Sequence, residues 1–132
     1  MDHTMCHFEI PVDDMDRATE FYRSLFGWDI QPWGGPESTI SMVNTVPVDE
    51  TGTTVRPGLN GMLIMKQNPR HPFANYVNVE DVAEYANKAV ALGGQIAMPK
   101  TAVAGMGWFA YILDTEGTVM GLWQTDSTAA PA

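Results

Sequence analysis

The chain carries a single cysteine, Cys6, in 132 residues, so no disulfide can form within it and its core alone must hold the fold. That length is enough, because a domain of this size buries roughly two thirds of the surface its unfolded chain exposes. A lone thiol needs no oxidising compartment, and a cytoplasmic setting is the expectation. Basic residues are scarce as well: seven Lys and Arg stand against sixteen Asp and Glu, for a net charge of −9. Such a surface repels phosphate backbones and anionic lipid, which argues against nucleic acid and membrane as partners and favours a cationic ligand over a phosphorylated one. No apolar run approaches the ~20 residues that span a bilayer. The opening residues lack the basic and apolar regions of a secretory signal. A phosphate-cradling glycine loop, a serine elbow and a paired CxxC motif are also missing; Gly105-Met106-Gly107 is a lone GxG with no helix after it and reads as a loop.

What the chain has in plenty is thioether and indole, with nine Met and four Trp. These side chains build adaptable apolar walls. The most organised stretch is His7 to Trp28. Phe8, Ile10 and Val12 alternate with His7, Glu9 and Pro11, the pattern of a strand with one apolar face. Asp13 or Asp14 can then cap a helix over roughly residues 14 to 26, with Gly27 as its left-handed stop. Within it Met15, Ala18, Phe21, Tyr22, Leu25 and Phe26 form an apolar stripe suited to cover Phe8, Ile10 and Val12. Strands are expected at 28–33, 39–46 and 62–66, with a loop or irregular hairpin over 47–61 and a linker at 68–72.

The pattern then begins again. Offset by 67 residues, Val12, Asp14, Met15, Leu25 and Gly27 fall on Val79, Asp81, Val82, Leu92 and Gly94, which is the mark of an internal duplication. A strand at 73–79, a helix stopped by Gly93-Gly94, and strands at 95–99, 108–113 and 118–124 follow, with residues 126–132 as a frayed tail. The expected fold is therefore α+β: a single domain of two paired β-α-β-β-β modules, about 1–67 and 73–125, forming a curved mixed sheet around a cleft with the helices outside.

On the strand face opposite the first helix, His7 and Glu9 are candidates for acid–base chemistry. The carboxylate is expected to raise the imidazole's pKa and partial burial to raise the carboxylate's own; the alternative is a structural pair bonded to neighbouring strands. Trp33, Met42, Met65, Tyr76, Trp108, Tyr111 and Trp123 are the candidate walls of a ligand site, each also readable as core. Cys6, adjacent to His7 on a strand, must face the other way and is a poor nucleophile candidate.

Three stretches, HFEIPVDDMDRATEFYRSLFGW at 7–28, YVNVEDVAEYANKAVALGG at 76–94 and GWFAYILDTEGTVMGLWQ at 107–124, resemble the glyoxalase, bleomycin-resistance and extradiol-dioxygenase superfamily, also called vicinal oxygen chelate proteins. The FEIP opening and GLWQ ending are similar to its branch related to lactoylglutathione lyase. The resemblance implies a metal held by His and Glu from four strands, and carries those positions onto His7, Met65, Ala74 and Gly121. Only His7 keeps a ligand side chain, and a site from His7, Glu9 and the linker His71 would need an unconstrained third donor. No metal and no other cofactor is therefore expected. Small residues at Ala74 and Gly121 are expected to open volume for a ligand, with Gly121 and Trp123 turned the same way. The resemblance also implies a homodimer. Three functions compete: metal-independent binding of a small aromatic or cationic molecule; a glyoxalase-like lyase or isomerase acting on a small carbonyl compound or its thiol adduct, with Glu9 as base and His7 as polarising acid; and a protein-interaction module with a filled cleft.

Overall fold

In chain order the elements are β1 (Met5–Val12), α1 (Met15–Phe26), β2 (Asp29–Trp33), β3 (Ile40–Asn44), β4 (Gly61–Met65), β5 (Ala74–Asn78), α2 (Val82–Ala91), β6 (Gln95–Val103), β7 (Gly107–Leu113) and β8 (Val119–Thr125), in a computed structural model that describes residues 2–132. This is the expected α+β succession of two β-α-β-β-β modules. The chain divides into two compact units, His7–Phe73 and a second made of residues up to Cys6 with Ala74–Ala132.

Each helix begins where an aspartate satisfies an otherwise unpaired backbone donor. Asp14 accepts the Arg17 N–H at 2.9 Å, and Asp81 accepts the Glu84 N–H at 3.0 Å. Gly27, at φ +71°, turns α1 off, as only glycine does cheaply. In α2 the left-handed stop is Gly93, at φ +101°. Gly94 answers a different demand, since a Cβ there would lie 2.5 Å from the Leu113 carbonyl oxygen.

In the His7–Phe73 unit the strand order is β2-β3-β4-β1, with β1 parallel to β4 and the remaining pairs antiparallel. Phe8, Val12, Ile30, Val43 and Leu63 form its core, covered by Met15, Ala18 and Tyr22 of α1. The apolar stripe of α1 is wider than the surface it covers. Phe21, Leu25 and Phe26 remain 57%, 58% and 57% exposed, so the expectation that the whole stripe lies on the strand is corrected. The segment between β3 and β4 is an irregular hairpin with a Val48–Thr54 bridge. Asn60 closes it, its Oδ1 accepting the Thr45 and Val46 N–H groups at 2.8 and 3.0 Å and its Nδ2 donating to the Val46 carbonyl at 3.1 Å.

The second unit has the matching order β5-β8-β7-β6, with β5 parallel to β8 and antiparallel pairs beyond. Val79, Val82, Ala86, Ala110 and Leu122 form its core. β6 runs to Val103 rather than stopping near Pro99; its register shifts on either side of Met98 let the strand pass a residue that lacks a ladder donor. The tail is not frayed at its start. Asp126 donates its N–H to the Met106 carbonyl at 2.9 Å, Gly105 donates to Ala129, and Ala129 is buried. Among the described residues no helix is long and apolar enough to cross a membrane.

Candidate functional site

Because side chains alternate along a strand, the ladder registers decide which candidates share a face. In the His7–Phe73 unit Glu9 pairs with Met62, and Met62 with Met42. Met42 pairs with Gln31, and Ile40 with Trp33. His7, Glu9, Met42 and Trp33 thus lie on the face turned away from α1, with Met62 and Ile64 beside them. Met65 does not. It pairs with Val12 and packs on the core under α1, one residue out of phase with its expected orientation. Met62 is the thioether that sequence reasoning missed; its only signal is that same one-residue parity.

Glu9 is 7% exposed, a rare depth for a carboxylate. The His7 Nε2 lies 4.0 Å from its Oε2, beyond a direct hydrogen bond. Burial lowers the His7 pKa below its usual value, and the Glu9 carboxylate opposes that shift without overcoming it. The expected rise is therefore corrected to a fall: desolvation of the imidazolium outweighs the carboxylate's attraction at this distance. The folded protein binds the His7 proton less readily than the unfolded chain. Stability contributed by neutral His7 is complete above the ordinary imidazole pKa and declines as pH falls through and below it. Melting temperature should fall more steeply between pH 7.5 and 5.5 in the wild type than in His7→Gln; equal slopes would contradict this.

In the second unit Gly121 is paired on one side with Tyr76 and on the other with Tyr111, while Phe109 pairs with Trp123. These residues occupy the face turned away from α2. The Tyr76 and Tyr111 hydroxyl oxygens are 2.5 Å apart, and the Phe109 ring centroid lies 5.4 Å from that of Tyr111. Trp123 donates its indole N–H to Thr125 Oγ1 at 3.1 Å. Trp108 is on the opposite face, against the α2 core. Its indole N–H donates to Asp126 Oδ2 at 2.9 Å, and the Lys100 ammonium sits 4.4 Å from its ring. Its place as a wall beside Tyr111 is corrected accordingly. Hydrogen bonds from the Thr128 hydroxyl and then from Trp108 hold the Asp126 carboxyl below the usual range.

Two open grooves lie elsewhere. A groove of about 340 Å³ beside the start of α1 is lined by Ile10, Val12, Asp13, Arg17, Phe21 and Lys66, among others. A second, of about 490 Å³, adjoins Asp13 and Lys66 on the Asn68–Pro69 side. The Lys66 ammonium bonds Asp13 at 3.0 Å between them. The parallel Val12–Met65 pairing brings these two following residues together, a juxtaposition invisible without the register.

The donors present do not fit the superfamily's metal. Among the described residues no three His, Cys, Asp or Glu side chains are grouped to hold an ion, whereas such ions need three or more fixed donors. His71 is engaged in its own loop, its Nδ1 accepting the Gln67 N–H at 3.2 Å.

A family model described as bleomycin resistance protein-like N-terminal matches residues 4–44. A Mycobacterium bovis protein provisionally named glyoxylase CFP32 is 30% identical over 129 residues, covering 89% of this chain and 44% of that protein, and its Mycobacterium tuberculosis counterpart gives the same figures. The chain thus spans less than half the length of these curated relatives. Among solved structures, hypothetical protein BH1468 from Bacillus halodurans superposes with a TM-score of 0.66 at 11% identity, over 99% of this chain and 100% of that one. Methylmalonyl-CoA epimerase from Mycobacterium tuberculosis does so with a TM-score of 0.63 at 14% identity, over 92% and 87%. At such identities the likeness is one of fold.

Proposed function

We propose, because the chain belongs to the glyoxalase, bleomycin-resistance and extradiol-dioxygenase superfamily, that it binds a small aromatic or cationic organic molecule without using the superfamily's metal. The observation that carries this reading is the face formed by Tyr76, Phe109, Tyr111 and Trp123, where rings tilted against one another meet two phenol hydroxyls. Rings recognise planar ligands and hydroxyl tips orient them. The net charge of −9 favours a cation over an anion. The reading places the protein in the cytoplasm as a homodimer, for which the exposed Phe21, Leu25 and Phe26 supply apolar surface.

A thermal-shift panel in EDTA tests it, comparing planar aromatic cations, neutral aromatics and aromatic phosphates. Cationic and neutral aromatics should raise the melting temperature, because ligand bound only to the native state stabilises it. Trp123→Ala should abolish the rise while Trp108→Phe keeps it. No rise with any member would overturn the reading.

One observation favours a second reading. Glu9 is buried beside an imidazole whose pKa burial lowers, and a carboxylate held in place can take a proton from carbon. In this reading the protein is a lyase or isomerase, related to lactoylglutathione lyase, that acts on a small carbonyl compound or its thiol adduct. Solvent deuterium incorporation next to the carbonyl of methylglyoxal or its glutathione adduct should then be catalysed, and Glu9→Gln should remove it with the fold intact. A Glu9→Gln rate equal to wild type would exclude Glu9 as the base.

A further inference from the structure

The superfamily resemblance places its last ligand-bearing side chain at residue 121, and here the backbone itself leaves no room for one. A Cβ built on Gly121 would lie 2.4 Å from Tyr76 Cδ2 and 2.7 Å from both Cε2 and Cγ. Real side chains do not approach so closely. The contact is not with a flexible tip but with the body of a ring, in a residue only 3% exposed. That ring cannot swing aside cheaply, because its hydroxyl meets the Tyr111 hydroxyl at 2.5 Å and both tyrosines are fixed across β8 by direct pairing with Gly121. Ala74, a second ligand-bearing position, lies on the same face of β5, buried, and ends in a methyl group.

We infer that position 121 has become the seat of the Tyr76 ring, so that the Tyr76–Tyr111 phenol pair stands where the superfamily places a metal ligand and the chain does not assemble that metal centre. The volume expected to open when the ligand side chain was lost is filled by tyrosine. The inference rests on the metal-independent reading and puts hydrogen bonding in place of chelation as the way its ligand is held. A metal centre would chelate two vicinal oxygens, whereas each phenol hydroxyl offers only hydrogen bonds, one as donor and the rest as acceptor.

A double-mutant cycle measured by urea unfolding tests the seat. Gly121→Ala and Tyr76→Ala should each destabilise the protein. The double variant should have a folding equilibrium constant at least about tenfold above the additive value, because removing the ring makes room for the methyl. Additive effects would overturn the inference. Should Gly121→Ala fail to fold, the wild-type protein carries the test: after EDTA dialysis, incubation with Ni²⁺, Zn²⁺ or Mn²⁺ and desalting, it should retain far less than one ion per chain. One ion retained per chain, and lost in His7→Ala, would overturn the inference. That result would still leave the aromatic-ligand reading to stand or fall on its own thermal-shift panel.

Discussion

Leu63→Ala should lower folding stability by about 2–5 kcal/mol, the range for emptying a leucine site in a packed core. Leu63 is 0% exposed at the centre of β4. It pairs with Ile10 in the parallel ladder and with Ser41 in the antiparallel one, so its surroundings are tied by hydrogen bonds on both sides and cannot collapse into the void. Phe8, Val12, Ile30 and Val43 meet at the same point. In urea the midpoint should move while the slope stays unchanged. A loss under about 1 kcal/mol would mean that the α1-side core is loosely packed.

Gly61→Ala should cost at least about 3 kcal/mol, at the upper end of over-packing penalties. Its added methyl would lie 2.3 Å from the Phe8 carbonyl oxygen and 2.6 Å from the Phe8 ring. The nearest atom is backbone, so relief requires β1 and β4 to separate just where Glu9 pairs with Met62. Damage should therefore reach the Glu9 face as well as stability. Gly35→Ala is the matched control, since a Cβ there meets nothing within 4 Å, and its change should stay within about 0.5 kcal/mol.

The order of elements was legible because its signals are local. Asp14 and Asp81 cap helices through bonds reaching only three residues ahead, and the 67-residue offset shows one module written twice. Strand orientation was legible only where polarity alternates. His7-Phe8-Glu9-Ile10 declares its faces, and Gly121 and Trp123 do turn the same way as Tyr76. β4, Gly-Met-Leu-Ile-Met, and β7, with Trp108 and Phe109 side by side, are apolar on both faces. Nothing in their composition tells which face meets the helix, which is why composition alone puts Met65 and Trp108 on the wrong side. The His7 shift was illegible for another reason: its sign depends on how far burial outweighs a carboxylate 4.0 Å away. The docked tail depended on long-range partners, since Asp126 reaches back to Trp108 and Met106.

The central claim is that a small organic molecule binds this protein without metal. Titration of proflavine, a planar aromatic cation, into EDTA-dialysed protein with fluorescence detection tests it most directly. Binding should be saturable and one-to-one, unchanged by added Ni²⁺ or Zn²⁺ and weakened about tenfold or more in Trp123→Ala through loss of ring stacking. Binding that appears only when a divalent metal is supplied, or no saturable binding in either condition, would contradict it.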